Sequence, residues 1–344
     1  MPDNTKPDPM KRTKIVILNW NGRKHLERFL PTLVENTPEA GIVIADNGST
    51  DDSLMFVKER FPQIEIITME RNFGFAEGYN RALKQVEADY FLLLNSDVEV
   101  PAGWIAPLTE TLDTHPEVAA VSPKIRSFAE PERFEYAGAA GGFIDCLGYP
   151  FCRGRILDSI ETDEGQHDDA REVFWASGAC MLVRSEVFRL LDGFDADFFA
   201  HMEEIDFCWR AQLAGYKIRV EPRSMVFHVG GGTLPNDNPQ KIYLNFRNNL
   251  CMLFKNLSPF TFWPVLFTRM VLDGAAAIVF LLQGKPAFFK KVFRAHLDFH
   301  KQRKSLHRKR RIIQQQRIAR PHGIFRGSIV LCHAFGRRKF GHML

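Results

Sequence analysis

Hydrophobic positions in the first 125 residues fall in short, nearly unbroken runs. These are IVILNW (15–20), IVIAD (42–46), 64–69, YFLLLNSD (90–97) and VAAVSP (118–123), and the segments between them, 24–35, 51–60, 76–86 and 104–114, read as helices. Strands apolar on consecutive positions are buried on both faces, as in a parallel sheet sheathed by helices. Repeated βα units with right-handed crossovers predict an α/β fold: an open, doubly wound, mostly parallel sheet with helices on both faces. Ligands of such sheets sit beyond the carboxyl ends of the strands.

The alternation weakens over 127–171, where glycines (138, 141, 142, 148, 154) and the acids of 158–169 cluster. A long irregular loop with at most short strands is expected there. Regular pattern returns at 174–195, followed by a helix over 201–218 and a strand over 224–229. After Pro259 the chain is strongly apolar from 260 to 283, broken only by Arg269 and Asp273. A spanning helix needs roughly 20 apolar residues with few charges, so a span and an interfacial helix both remain open. The chain therefore divides into a flexible terminus (1–12), an α/β domain (13–255) and an apolar, then basic, helical region (256–344).

Charge sharpens this division. The net charge is +4, yet residues 285–344 hold 17 Lys and Arg against one acid, Asp298, so this tail is near +16 and the body near −12. A basic tail behind an apolar segment predicts an anionic membrane surface as partner and a place on the cytoplasmic face of the cell membrane. No nucleic-acid module is recognisable, and nucleic acid is not an expected partner. The six cysteines form no CxxC pair, which argues against zinc and for a reduced compartment, and the polar N-terminus has no secretory pattern.

Candidate chemistry gathers at strand ends. Asn95, Ser96 and Asp97 close the most apolar strand, where such a cluster can hold Mg²⁺ or Mn²⁺ with diphosphate oxygens completing the shell. Asp46, with Asn47 behind it, suits a ribose or base edge. In RNFGFAEGYNRAL, Gly74 permits close approach, and Asn72 and Asn80 offer amides. Asn19 ends the first strand. In HMEEIDFCWR, Glu204 suits a general base, while Glu203 and Asp206 lie i,i+3 and Asp206 and Arg210 i,i+4, permitting a salt bridge. His228, before three glycines that could form a lid, suits a metal or diphosphate contact. Each motif alone also has a plain reading as a helix cap, a tight turn, a solvated acidic helix start or a satisfied histidine.

Taken in order, IVILNWNG, IADNGSTDDS, RNFGFAEGYNRAL, FLLLNSDVEVPAGW, WASGACMLVRSEVF, GFDADFFAHMEEIDFCWRAQLAGYKI and FHVGGGT resemble family 2 glycosyltransferases of the GT-A fold, in the bacterial rhamnosyltransferase-like branch, over residues 13–255. The resemblance implies an inverting, metal-dependent transferase that moves a sugar from a nucleotide-diphosphate donor, dTDP-rhamnose first, to a glycan or lipid-linked acceptor in cell-surface polysaccharide synthesis. It implies that Asp97 and His228 are metal ligands, with Asn95 standing where the family's DXD motif has its first acid. It further implies nucleotide-sugar contacts from Asn19, Asp46, Asn47, Asn72, Gly74, Asn80, Asn95 and Ser96. Glu204 takes the base position, with Glu203 and Asp206 as weaker candidates. Two other readings keep the same sheet: an inactive nucleotide-binding or membrane-surface scaffold, and a nucleotidyltransferase. The latter needs a Gly-rich basic loop after the first strand, where this chain has NWNGRKH.

Overall fold

The structure, a computed structural model, describes residues 12–230 and 238–343. Residues 1–11 of the expected flexible terminus (1–12) and two of the three candidate lid glycines, Gly231 and Gly232, lie outside the described residues, while Arg12 is tied to Asp113.

Through the first part of the chain the elements alternate: β1 (Thr13–Asn19), α1 (Arg23–Asn36), β2 (Gly41–Asp46), α2 (Ser53–Arg60), β3 (Glu65–Thr68), α3 (Gly74–Leu83), β4 (Tyr90–Leu94), β5 (Val98–Glu99), α4 (Ala106–Thr114) and β6 (Val118–Ser127). Strands β7 (Gly142–Asp145), β8 (Pro150–Cys152), β9 (Arg155–Ile156), β10 (Ser159–Ile160), β11 (Arg171–Val173) and β12 (Cys180–Arg184) follow. Then come α5 (Ser185–Leu190), a 3₁₀ turn (Ala196–Phe198), α6 (Glu203–Leu213) and β13 (Lys217–His228). The remainder is α7 (Pro239–Asn256), α8 (Phe262–Leu282), α9 (Pro286–Lys301), α10 (Arg303–Gln315), β14 (Ile324–Phe325) and α11 (Ile329–Ala334).

The main sheet runs β11-β13-β6-β12-β4-β1-β2-β3, with β5 beside β13. Strands β3, β2, β1 and β4 are mutually parallel, as their βα connections require, while β12 enters antiparallel between β4 and β6, making the sheet mixed. Alternation divides the apolar strand residues between two cores. Ile15, Ile17, Leu92 and Leu94 pack with Leu26, Leu30 and Leu108 of α1 and α4, whereas Val16, Phe91 and Leu93 pack with Tyr79, Phe188 and Phe207 of α3, α5 and α6. Each such side chain, fully withdrawn from water, contributes about 1.5–3 kcal/mol.

Where an irregular loop was expected over 127–171, the chain builds most of a second, five-stranded sheet, β10-β9-β8-β7-β14. Its strands of two to four residues are too short to show a period of two. The helix expected over 201–218 ends at Leu213, and β13 begins at Lys217 and is irregular between Glu221 and Met225.

Residue 255 lies inside α7, and α9 and α10 pack along that helix. Lys309 of α10 pairs with Asp195 and lies 2.7 Å from Asp197, and Arg310 donates to the carbonyls of Phe254 (2.8 Å) and Leu257 (2.7 Å). Part of the basic tail is thus spent inside the fold, on the acidic body and the carbonyl end of α7.

Candidate active site

The carboxyl ends of β1, β2 and β4 lie side by side, since Asn19 pairs with Asp46 across β1–β2 and Ile17 with Leu94 across β1–β4. Asn19 is fully buried; its Nδ2 donates to Asp46 Oδ1 (3.0 Å), Ser49 Oγ (3.1 Å) and Ser53 Oγ (3.0 Å), while its Oδ1 has no hydrogen-bond partner among the described residues. Asp46 also accepts from the Ser49 amide at 3.0 Å. A Cβ added at Gly22 would meet Asn19 Oδ1 at 2.4 Å and Ser96 Oγ at 3.7 Å, which sets the Asn95–Asp97 turn directly beside Asn19.

Asp97 and His228 meet because β13 ends against β5: His228 pairs with Val98 in register, and His228 Nε2 lies 3.1 Å from Asp97 Oδ1 and 3.3 Å from the Asn95 amide nitrogen. The other ring nitrogen, Nδ1, lies 3.4 Å from Glu135 Oε2. Burial disfavours the imidazolium, but the carboxylates on its two sides outweigh burial and push the His228 pKa up to about 10. Burial likewise acts to raise Asp97, and the hydrogen bond and charge of His228 more than offset it, so its carboxyl titrates below the usual range. Glu135 escaped the sequence reading because it stands in an aperiodic stretch, FEYAGAA, and only its acidity in a buried run marks it.

This donor set fits a divalent cation. Among the described residues no three His, Cys, Asp or Glu side chains converge as a closed metal cage. Asp97 offers an oxygen ligand and His228 Nε2, once an arriving cation displaces its proton, a nitrogen ligand, with Glu135 near the second ring nitrogen, a set that suits an ion completed by diphosphate oxygens and water.

The acids of α6 form the second half of the site. Residues 177–180 join the halves: the Ala179 carbonyl accepts the Asn95 amide at 2.9 Å, and a Cβ at Gly178 would lie 3.8 Å from Glu204 Cβ. Glu203 and Glu204 each hold a buried Oε2 without a hydrogen-bond partner among the described residues. Burial pushes Glu204 up to about 7. Glu203 is raised as well, by burial and then by repulsion from Glu204 and Asp206, so the pair as a unit resists carrying two negative charges.

Ahead of this pair, Phe199 (φ 65°), His201 (φ 68°) and Met202 (φ 72°) sit in the left-handed region. Such residues cost roughly 1–3 kcal/mol each and persist only where surroundings fix them. Here α7 fixes them. Asn248 Nδ2 donates to the carbonyls of Phe198 (3.0 Å), Ala200 (2.8 Å) and His201 (2.7 Å), and Arg247 Nη2 to those of Asp197 and Phe198 (both 2.9 Å). Neither residue stood out in the sequence.

Several expected contacts have structural occupations instead. Asp206 is fully buried against Arg210 (2.9 Å), Lys255 (2.9 Å) and Asn256 (2.8 Å); its lone pairs are spent, which removes it as a base. Asn80 clasps both backbone groups of Phe194 (2.8 and 2.9 Å), so its amide is not open to a nucleotide. Asn47 Nδ2 ties to Asn72 Oδ1 (3.1 Å) and the Gly74 carbonyl (3.0 Å), and Asn72 Oδ1 caps the Gly74 amide (2.8 Å). Gly74, at φ +81°, is forced by Phe199, which a Cβ would meet at 2.5 Å. The carbonyl of Phe199 then takes the Phe75 and Ala76 amides at the start of α3.

Acids, amides and a histidine gathered at the strand mouths of a doubly wound sheet, with a desolvated carboxyl pair alongside, define a glycosyltransferase of the GT-A architecture. The chain belongs to glycosyl transferase family 2, whose profile matches residues 14–191. Among its relatives, an N-acetylglucosaminyl-diphospho-decaprenol L-rhamnosyltransferase of Mycobacterium tuberculosis is 29% identical over 233 residues, 62% of this chain and 75% of that one. The rhamnosyltransferase WbbL of Escherichia coli is 23% identical over 71% of this chain and 92% of its own length. In fold the chain is similar to GalNAc-T7 crystallised with UDP, GalNAc and Mn²⁺ (TM-score 0.57, 17% identity), matching 74% of this chain and about half, 48%, of that one. It is also similar to S. aureus TarS 1-349 in complex with UDP-GlcNAc (TM-score 0.53, 15% identity, 88% of this chain and 90% of that one).

Proposed function

We propose that the protein is an inverting rhamnosyltransferase that moves L-rhamnose from dTDP-rhamnose to a hydroxyl of a lipid-linked glycan at the cytoplasmic face of the cell membrane. The observation that carries the chemistry is the Glu203–Glu204 pair, adjacent carboxyls that each hold a buried Oε2 without a hydrogen-bond partner among the described residues, with burial pushing Glu204 up to about 7. The donor and acceptor classes rest on the rhamnosyltransferase relatives, one of which is named for a diphospho-decaprenol acceptor.

Glu204 takes the acceptor hydroxyl proton as the oxygen attacks the anomeric carbon. The new C–O bond forms as the bond to the diphosphate oxygen breaks, and one such displacement inverts the carbon. Asp97 and His228 would hold Mg²⁺ or Mn²⁺, with Glu135 orienting the imidazole; when bound, the ion supplies positive charge against the departing nucleoside diphosphate. Burial and the neighbouring Glu204 both favour the neutral form of Glu203, which limits the negative charge that gathers at the start of α6. Asn19, whose Oδ1 has no hydrogen-bond partner among the described residues, and Ser96 line the strand mouths where the donor would lie.

The test is a panel of nucleotide sugars given to purified protein, with and without a polyprenyl-diphosphate-linked acceptor. Acceptor-dependent release of dTDP from dTDP-rhamnose is the expected result. Pyrophosphate release would mark a nucleotidyltransferase, and no turnover with any donor would mark a scaffold.

A further inference from the structure

Helix α8 is the longest and most apolar among the described residues, and its two sides differ. One side is buried: Phe262, Leu266, Arg269, Asp273 and Ala277, at spacings of three and four, face the protein. The other is bare. Trp263 and Phe267 are 66% and 67% exposed, Leu282 is 82% exposed, and Val271, Ile278 and Val279 are exposed with them. The two charges that interrupt the apolar run belong to the buried side. Arg269 Nε lies 3.0 Å from Asp273 Oδ1, its guanidinium stacks 3.6 Å over the Tyr149 ring, and Asp273 Oδ2 lies 3.3 Å from His296 of α9.

We infer that α8 is an in-plane membrane helix: it lies flat in an anionic lipid surface with its Trp263–Phe267–Val271–Ile278 side buried among the acyl chains, and it does not span the bilayer. Tyr149 stands in the β7–β8 turn of the second sheet, and Arg269 and Asp273 sit at the middle of α8. In a spanning helix of 21 residues, about 32 Å long, those residues would lie at the bilayer midplane. The β7–β8 turn would be carried there with them, and irregular backbone does not enter hydrocarbon. Laid flat, the same helix leaves the sheet in water. A tight turn at Gly284 (φ +72°) folds α9 back onto α8, and the exposed side chains of α9 include Phe293 and Leu297 beside Lys290, Arg294 and Lys301. Aromatic residues bordered by cations suit the headgroup boundary of an anionic leaflet, and an acidic or neutral protein partner would not call for so wide an aliphatic face.

This inference deepens the proposed reading of a lipid-linked acceptor, and its test separates the two. Full-length protein is floated with vesicles of phosphatidylcholine and phosphatidylglycerol, beside a Phe267→Glu/Ile278→Glu variant. Partitioning is expected to fall about ten-fold or more in the variant, while transfer to a short-chain, water-soluble acceptor is unchanged. Spin labels placed singly by Trp263→Cys, Phe267→Cys, Val271→Cys and Ile278→Cys in a Cys146→Ser background are expected at one shallow depth. Labels that deepen toward Val271, or equal flotation of wild type and variant, would overturn the in-plane helix. Loss of transfer by both proteins on the soluble acceptor would instead count against the rhamnosyltransferase reading.

Discussion

The two carboxyls that open α6 are both pushed up by burial, and of the two Glu204 stands beside the 177–180 segment that joins the halves of the site. Glu204→Gln keeps shape and removes the base, so the transfer rate should fall by roughly 10²–10⁴ with donor affinity little changed. Wild-type activity should rise with pH through about 7, and this limb should vanish in the variant, which a pH–rate profile on each protein checks. Stability carries the same signature with a definite sign. The Glu204 carboxyl titrates near 7 when folded against 4.5 ordinarily, so the fold favours its protonated form. Stability linked to that proton is complete below about pH 4.5 and is lost as pH rises through 7. Glu204→Gln should accordingly melt like wild type near pH 4 and be more stable at pH 8, by on the order of 1–3 kcal/mol. Glu203→Gln imitates the neutral form that burial favours and should keep activity within about ten-fold. At the other end of the site, Asp97→Asn should weaken Mn²⁺ binding by about ten-fold or more, read from the free-ion signal in electron paramagnetic resonance. An unchanged signal would remove Asp97 as a ligand.

Helix α6 carries a third acid that belongs to the scaffold. Asp206 anchors α6 to the end of α7 through Lys255 and Asn256, and Lys255 is itself buried. Asp206→Asn leaves the Lys255 ammonium with Asp195 as its remaining carboxylate and takes the carboxylate from Arg210, and should cost about 1–3 kcal/mol in chemical denaturation. The protein that remains folded should turn over normally, an outcome a catalytic Asp206 could not give. The sequence pattern foresaw the Asp206–Arg210 bridge because both lie on one helix. Lys255 and Asn256 lie some fifty residues on, beyond any local periodicity. The same contrast holds for the larger elements. Runs such as YFLLL announce a strand with both faces buried, and β1 to β4 follow that signal closely. Strands β8 to β10 are too short to carry any period, and β14 finds its partner 180 residues away in sequence. Within the proposed site, Asp97 stands just before β5, His228 ends β13 and Glu204 lies in the first turn of α6, places that the strand and helix patterns mark. Glu135, Arg247 and Asn248 act through contacts that only the tertiary fold creates.

At the scale of the molecule, the apolar and basic region after α7 is woven into the α/β body. Lys309 neutralises Asp195 and Asp197, Arg310 and Gln314 cover the carbonyl end of α7, and β14 completes the second sheet. A chain cut after Leu257 bares the faces of α7 that α9 and α10 cover. It should lose its cooperative thermal transition or precipitate, as differential scanning calorimetry or a solubility assay would show. A soluble, active fragment of that length would contradict the interlocked arrangement. The β7–β14 pairing, Ile144 to Ile324, also bears on the order of events during synthesis. A ribosome can release β1 to β6 and let most of the main sheet form, yet β7 waits with an open edge until residues 324–325 have left the exit tunnel. A nascent chain stalled in the tail thus presents an unfinished sheet beside a strongly apolar helix, the combination that chaperones bind. Messages truncated between residues 257 and 324 should therefore yield product cleared by proteolysis, even though every residue from 13 to 228 is intact.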